Sequence, residues 1–146
     1  MITDSYPYFA IKNNTSFIFE SIGNQGTIIK IIQFTLLDSG EWNLGFGDWK
    51  NGIIDDLTIS NNHDLIRVIQ TVAKATYVFF EEYPESVVII KPVDEKRKRL
   101  YNLIFQRHIQ SIELVFKVVG IIDDEKETFL SKKMYDNFEI TLKFES

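Results

Sequence analysis

Apolar and polar positions divide the chain into strand-like and helix-like segments. In SFIFESIGNQGTIIKIIQFTLL, two β-branched and aromatic runs, Ser16–Ile22 and Thr27–Leu37, flank Gly23-Asn24-Gln25-Gly26. Residues of that kind tolerate positive φ, so the stretch predicts a β-hairpin. The second run is apolar on both faces near Ile28–Ile32, which predicts a central strand covered on both sides. EWNLGFGDW predicts a short third strand, with a bend or bulge at Gly45-Phe46-Gly47. The following KNGIIDDLTISNN predicts a polar loop with an apolar patch at Ile53 and Ile54.

A change of period marks the first helix. Leu65, Ile69, Val72, Thr76 and Phe79 recur at helical spacing, Asn61 is placed to cap with Asp64 three residues on, and Pro84 ends the run. SVVIIKP predicts a short buried strand. A second helix starts near Asp94, with Leu100, Leu103, Ile104, Phe105 and Ile112 toward the core. VFKVVGIID, KETFL and NFEITLKF complete the chain as strands. The last alternates Phe138, Ile140, Leu142 and Phe144 with Glu139, Thr141, Lys143 and Glu145, one dry face and one wet face. The order βββ-α-β-α-βββ implies an α+β fold: an antiparallel or mixed sheet with two helices packed on it, in one domain over residues 1–146.

Composition narrows the chemistry. The chain has no cysteine, which excludes disulfides, thiolate metal sites and cysteine nucleophiles and suits a reducing cytoplasm. The opening MITDSYPYFAIKNN lacks the basic and apolar regions of a signal peptide, and no apolar run is long enough to span a bilayer. We therefore expect no membrane partner. The formal net charge of −5 disfavours nucleic acid, which requires a cationic face, while leaving a local anion site open.

Against that acidic background, DEKRKRLYNLIFQRH places Lys96, Arg97, Lys98 and Arg99 at the start of the second helix. Cations there oppose the helix dipole by about 0.3–1 kcal/mol each. The same geometry, free N–H groups beside guanidinium forks, also suits a phosphate or carboxylate. Arg97 and Tyr101 lie one turn apart on one face; Arg99 points elsewhere. A second cluster gathers Asp48, Asp55, Asp56, Asn61, Asn62 and Asp64. Its spacing does not match an EF-hand, and its acids suit salt bridges and caps more than a metal. Asp64, Arg67 and Thr71 share one helical face, read either as an Asp64–Arg67 ion pair, which we favour, or as a polar stripe lining a cleft. His63 and His108 lack zinc spacing, and no serine lies in a nucleophile motif. No catalytic residue, metal ligand or cofactor is assigned.

The succession FIFESIGNQGTIIKIIQF, NLGFGD, DD…SNN.D..RV..TVA, R.RLY and F.I.L.F resembles an uncharacterised family of small proteins from Bacteroidota, known only as a domain of unknown function. The resemblance runs from about Phe17 to Phe144 and implies a bacterial, soluble, stand-alone domain without an established activity. The family's characteristic polar residues match Asn43, Gly45, Gly47, Asp48, Asp56, Asn62, Asp64, Arg67, Arg97, Arg99 and Tyr101. Where the family carries a Gly-Ser-Thr-like stretch before R.RLY, this chain has Pro92-Val93-Asp94, which weakens an anion site there.

Three functional classes follow. The first, which we favour, is a non-catalytic binding or regulatory module that uses an Arg-bearing helix start to contact an unknown protein or a small anionic ligand. Its candidate ligand-binding residues are Asp48, Asp56, Asn62, Asp64, Arg67, Arg97, Arg99 and Tyr101. The second is a small metal-dependent enzyme of toxin or defence type, acting on a nucleotide or nucleic-acid phosphate with Asp48 or Asp56 on the metal. In the third, the aspartates pair with Arg67, Arg97 and Arg99 solely to lock the long loop.

Overall fold

The computed structural model describes residues 4–50, 53–55 and 64–143. It has an α+β fold, a mixed sheet with two helices packed on it. The chain is organised as two units, Met1–Thr35 with Gly45–Pro84, and Leu36–Leu44 with Glu85–Ser146.

The first unit is built on the expected hairpin. Strands β2 (Ser16–Gly23) and β3 (Gly26–Leu36) pair antiparallel, with Phe17 opposite Ile32 and Phe19 opposite Lys30. The turn closes because Gly26 takes φ +83°, a conformation open to a residue without Cβ. β4 (Trp42–Lys50) lies beside β3. Two strands escape the sequence pattern. β1 (Tyr8–Ile11) pairs antiparallel with β2 and forms the rim of the sheet. β5 (Ile53–Asp55) pairs with the end of β4, where a polar loop is expected. Runs of four and three residues are too short to show a period. The Gly45-Phe46-Gly47 stretch lies inside strand β4, with no bend assigned there.

Helix α1 (Leu65–Glu82) packs on this sheet through Phe79, whose ring stacks on Phe34 at 4.2 Å. Its buried face is Val68, Thr71, Ala75, Thr76, Phe79 and Phe80, rotated from the expected stripe, so that Leu65 is 49% exposed. The rotation is tolerated because the threonines neutralise their own hydroxyls. Thr71 donates to the Arg67 carbonyl at 2.8 Å and Thr76 to the Val72 carbonyl at 2.7 Å. The N-cap is Asp64; Asn61 lies outside the described residues. The helix stops at Glu82, just before Pro84.

In the second unit, the start of β4 pairs parallel with β6 (Val88–Ile90), and β6 pairs antiparallel with β9 (Asn137–Leu142). β7 (Phe116–Ile122) and β8 (Glu125–Thr128) continue the order as β9-β7-β8. The β7–β8 turn is Asp123-Asp124, both at positive φ, 51° and 64°. Helix α2 (Glu95–Ile112) sets Phe105 against Phe138 with ring centroids 4.4 Å apart. Phe105 and Ile112 are buried as expected, but Leu103 is exposed and Arg97 and Asn102 are buried in its stead. Asn102 is fully satisfied. Its amide donates to the carbonyls of Lys98 and Tyr135 at 2.8 and 2.9 Å, and its oxygen accepts from the Tyr135 N–H at 2.8 Å.

Candidate functional site

The two helix starts differ in how they are closed. At α2, Asp94 is extended, and one carboxylate oxygen accepts from the Arg97 N–H at 2.8 Å. The other accepts from the Arg97 guanidinium at 2.7 Å. One side chain thus caps the helix and neutralises a first-turn cation that opposes the dipole. Arg97 is 5% exposed and its charge is spent locally. Lys98 reaches Asp136 at 2.7 Å. The hydrogen bond that Lys98 donates to Asp136 raises the Lys98 pKa, and the same bond, with one from the Asp123 N–H, lowers that of Asp136. Lys96 and Arg99 are exposed, and Tyr101 is half-buried one turn beyond Arg97.

At α1 the arrangement is the reverse. The Asp64 side chain does not cap the helix. It turns away and accepts from the Tyr6 hydroxyl at 2.6 Å and from the Ser21 hydroxyl on the same oxygen. Burial, reinforced by the hydrogen bond to Asp64, raises the Tyr6 pKa. The Tyr6 N–H donates to the Thr71 hydroxyl at 2.8 Å, and the Asp4 N–H to the Gln70 side chain at 2.7 Å, which ties the N-terminal segment along the helix. Arg67 lays its guanidinium on the Tyr6 ring, 4.1 Å from the centroid, with Nε 3.6 Å from the Asp4 carboxylate. That Nε is shielded and makes no hydrogen bond among the described residues. Asp4, Asp64, Leu65, Ile66 and Arg67 line an open cleft of about 450 Å³. Leu65 and Ile66, at 49% and 54% exposure, give it an apolar wall.

Asp64 and Arg67 therefore share a cleft, and the favoured ion pair between them is not formed among the described residues. A carboxylate bonded to two hydroxyls has no need of the guanidinium, which finds Asp4 and a ring instead. Asp48 is withdrawn from any surface. It is 2% exposed and meets Lys30 Nζ at 2.6 Å, deep in the first unit. Locking of the aspartates by Arg67, Arg97 and Arg99 gives way, among the described residues, to other partners: Lys30 for Asp48, and Asp94 for Arg97. Asp56, Asn62 and His63 lie outside the described residues. Among the described residues, no three acids or histidines gather in metal-ligating reach, and no helix is long and apolar enough to cross a membrane.

Asp4, Tyr6, Ser21, Lys30 and Asn102 carry no sequence signal of these roles. The Tyr6–Asp64 bond joins residues 58 positions apart, and nothing local announces it. Leu65 reads as helix core, and only the rotation of α1 brings it out; Ile66 lies off the expected stripe.

Searches of curated proteins and of solved structures return no match. One family model matches residues 3–143, nearly the whole chain, and the chain belongs to that family, a family of unknown function (DUF6934).

Proposed function

We propose that the protein is a non-catalytic binding module and that it receives an anionic or protein partner at the start of α1. The observation that carries this reading is Arg67. Its guanidinium is held over the Tyr6 ring and its Nε hydrogen bond is unmade among the described residues, in a cleft walled by the exposed Leu65 and Ile66. A positioned arginine beside exposed aliphatic groups is the composition of an interface anchor. The dipole of an 18-residue helix adds positive potential at its start, where the Asp64 carboxylate makes no capping bond. Asp4 and Asp64 oppose a purely ionic ligand, so the reading favours a protein segment that offers one carboxylate to Arg67 and apolar groups to Leu65 and Ile66. The Arg-bearing helix start is thus that of α1, since Arg97 at α2 is closed onto its own cap. A bacterial, cytoplasmic setting belongs to the same reading, supported by the resemblance of the motifs and by the absence of cysteine.

Arg67→Ala tests it by cross-linking in host extract and by thermal melting. The variant should lose the wild-type partner while melting within a few degrees of it, because an exposed cation–π contact contributes only about 0.5–1 kcal/mol. An unchanged partner profile would overturn the reading. So would a variant that loses its partner only by unfolding.

A further inference from the structure

The exposed side of α2 is a second surface, independent of the cleft. Lys96, Arg99, Leu103, Arg107 and Gln110 follow one another at helical spacing, and all are exposed. Leu114, just past the C-cap, extends the stripe and is 76% exposed; Leu103 is 39% exposed. From Lys96 to Gln110 the stripe is about 21 Å long. Among the described residues, Lys96, Arg99 and Arg107 enter no ion pair, whereas Arg97 and Lys98 on the other faces are both paired. Glu95 is the one exposed acid within the helix. A chain with formal net charge −5 thus keeps three cations, unpaired among the described residues, in line along one helix and interleaved with leucine.

We propose that this face docks an acidic, amphipathic segment of a partner protein. Charge complementarity selects the acids: carboxylates placed opposite Lys96, Arg99 and Arg107 meet cations that form no ion pair among the described residues. The leucines select a protein. Leu103 lies between the cations and Leu114 at the end, where apolar side chains of the segment bury them, while a phosphate backbone has nothing to offer either. A lipid surface fits less well, because the broad apolar face of α2, with Phe105 and Ile112, is turned into the fold. A helix of three to four turns, acidic along both flanks of an apolar seam, matches the stripe in length and pattern.

The test uses the full chain and a fluorescein-labelled peptide with glutamates flanking a leucine seam. A peptide with lysines in place of the glutamates, phosphatidylserine vesicles and duplex DNA complete the set. The glutamate peptide should bind, weaken with added salt, and lose about tenfold or more in affinity to Arg99→Glu combined with Arg107→Glu. Leu103→Asn should weaken it as well, separating a built seam from charge attraction alone. Circular dichroism of these surface variants should match the wild type. Equal binding of both peptides, undiminished binding by the charge-reversed chain, or tighter binding of vesicles or DNA would overturn the proposal, as would failure of the glutamate peptide to bind. Arg67→Ala should leave this binding unchanged, which keeps it distinct from the α1 cleft.

Discussion

At the residue scale, the Lys30–Asp48 pair shows why a polar residue in a strand need not face water. Both side chains are buried, at 2.6 Å, and the Lys30 ammonium also lies 5.6 Å from the Phe46 ring centroid. Removing Lys30 takes the ammonium away from a buried carboxylate, at a cost of about 3–5 kcal/mol. Lys30→Met should therefore lower stability by that amount in urea denaturation, and adding Asp48→Leu should recover most of it. A Lys30→Met chain as stable as wild type would show that the pair contributes nothing. Gly120 is constrained by sterics alone. A Cβ there would lie 2.3 Å from Tyr135 ring carbons. The ring cannot retreat, because the Tyr135 hydroxyl donates to Glu127 at 3.0 Å and accepts from the Leu130 N–H at 3.0 Å. Gly120→Ala should cost about 3 kcal/mol, the upper end of ordinary overpacking, read as a drop in the denaturation midpoint.

At the element scale, the hairpin β2–β3, both helices, β6 and the C-terminal strands follow from local pattern, because each is long enough or punctuated enough to carry a period. β1 and β5 hold β-prone residues but are too short to carry a period, and only a neighbouring strand reveals them. The faces of the helices were less legible than their extents. Thr71, Arg97 and Asn102 are polar by type but buried, since a hydroxyl turned on its own helix, a capping aspartate and a clasp on Tyr135 satisfy them. Of the candidate site, Asp64 and Arg67 were legible as a shared face, but Asp4 and Tyr6 came from a segment without pattern. Turns carry their own expectation. Asp123 and Asp124 both hold positive φ in a two-residue loop, where glycine is at ease and aspartate is strained. Asp124→Gly should raise stability by about 0.5 kcal/mol, offset in part by the freer unfolded chain. A lowered melting temperature would mean that the aspartate makes a contact outweighing its backbone cost.

At the scale of the whole molecule, stability should form a plateau in pH. Hydrogen bonds from Lys98 and the Asp123 N–H lower the pKa of Asp136, and those from Lys133 and Tyr135 lower that of Glu127. Folding is thus favoured above the ordinary carboxyl range, and this share is lost as pH falls below about 4. Lys98 and Lys133 are raised by their carboxylates, and Tyr6, Tyr8 and Tyr135 by burial. Their share is present below about pH 10 and lost above it. Urea midpoints across pH should trace that shape, with a shallower acid limb in Asp136→Asn; a midpoint unchanged from pH 6 to pH 3 would contradict it. The rim strand β1 bears on a different property, the behaviour of concentrated solutions. It carries no formal charge, and Phe9 stands 77% exposed on a sheet edge with no further strand among the described residues. Such an edge recruits backbone from other copies. Wild-type stocks should turn turbid on standing while Phe9→Lys stays clear by light scattering, so colloidal shelf life would hang on a single aromatic ring at the margin of the sheet.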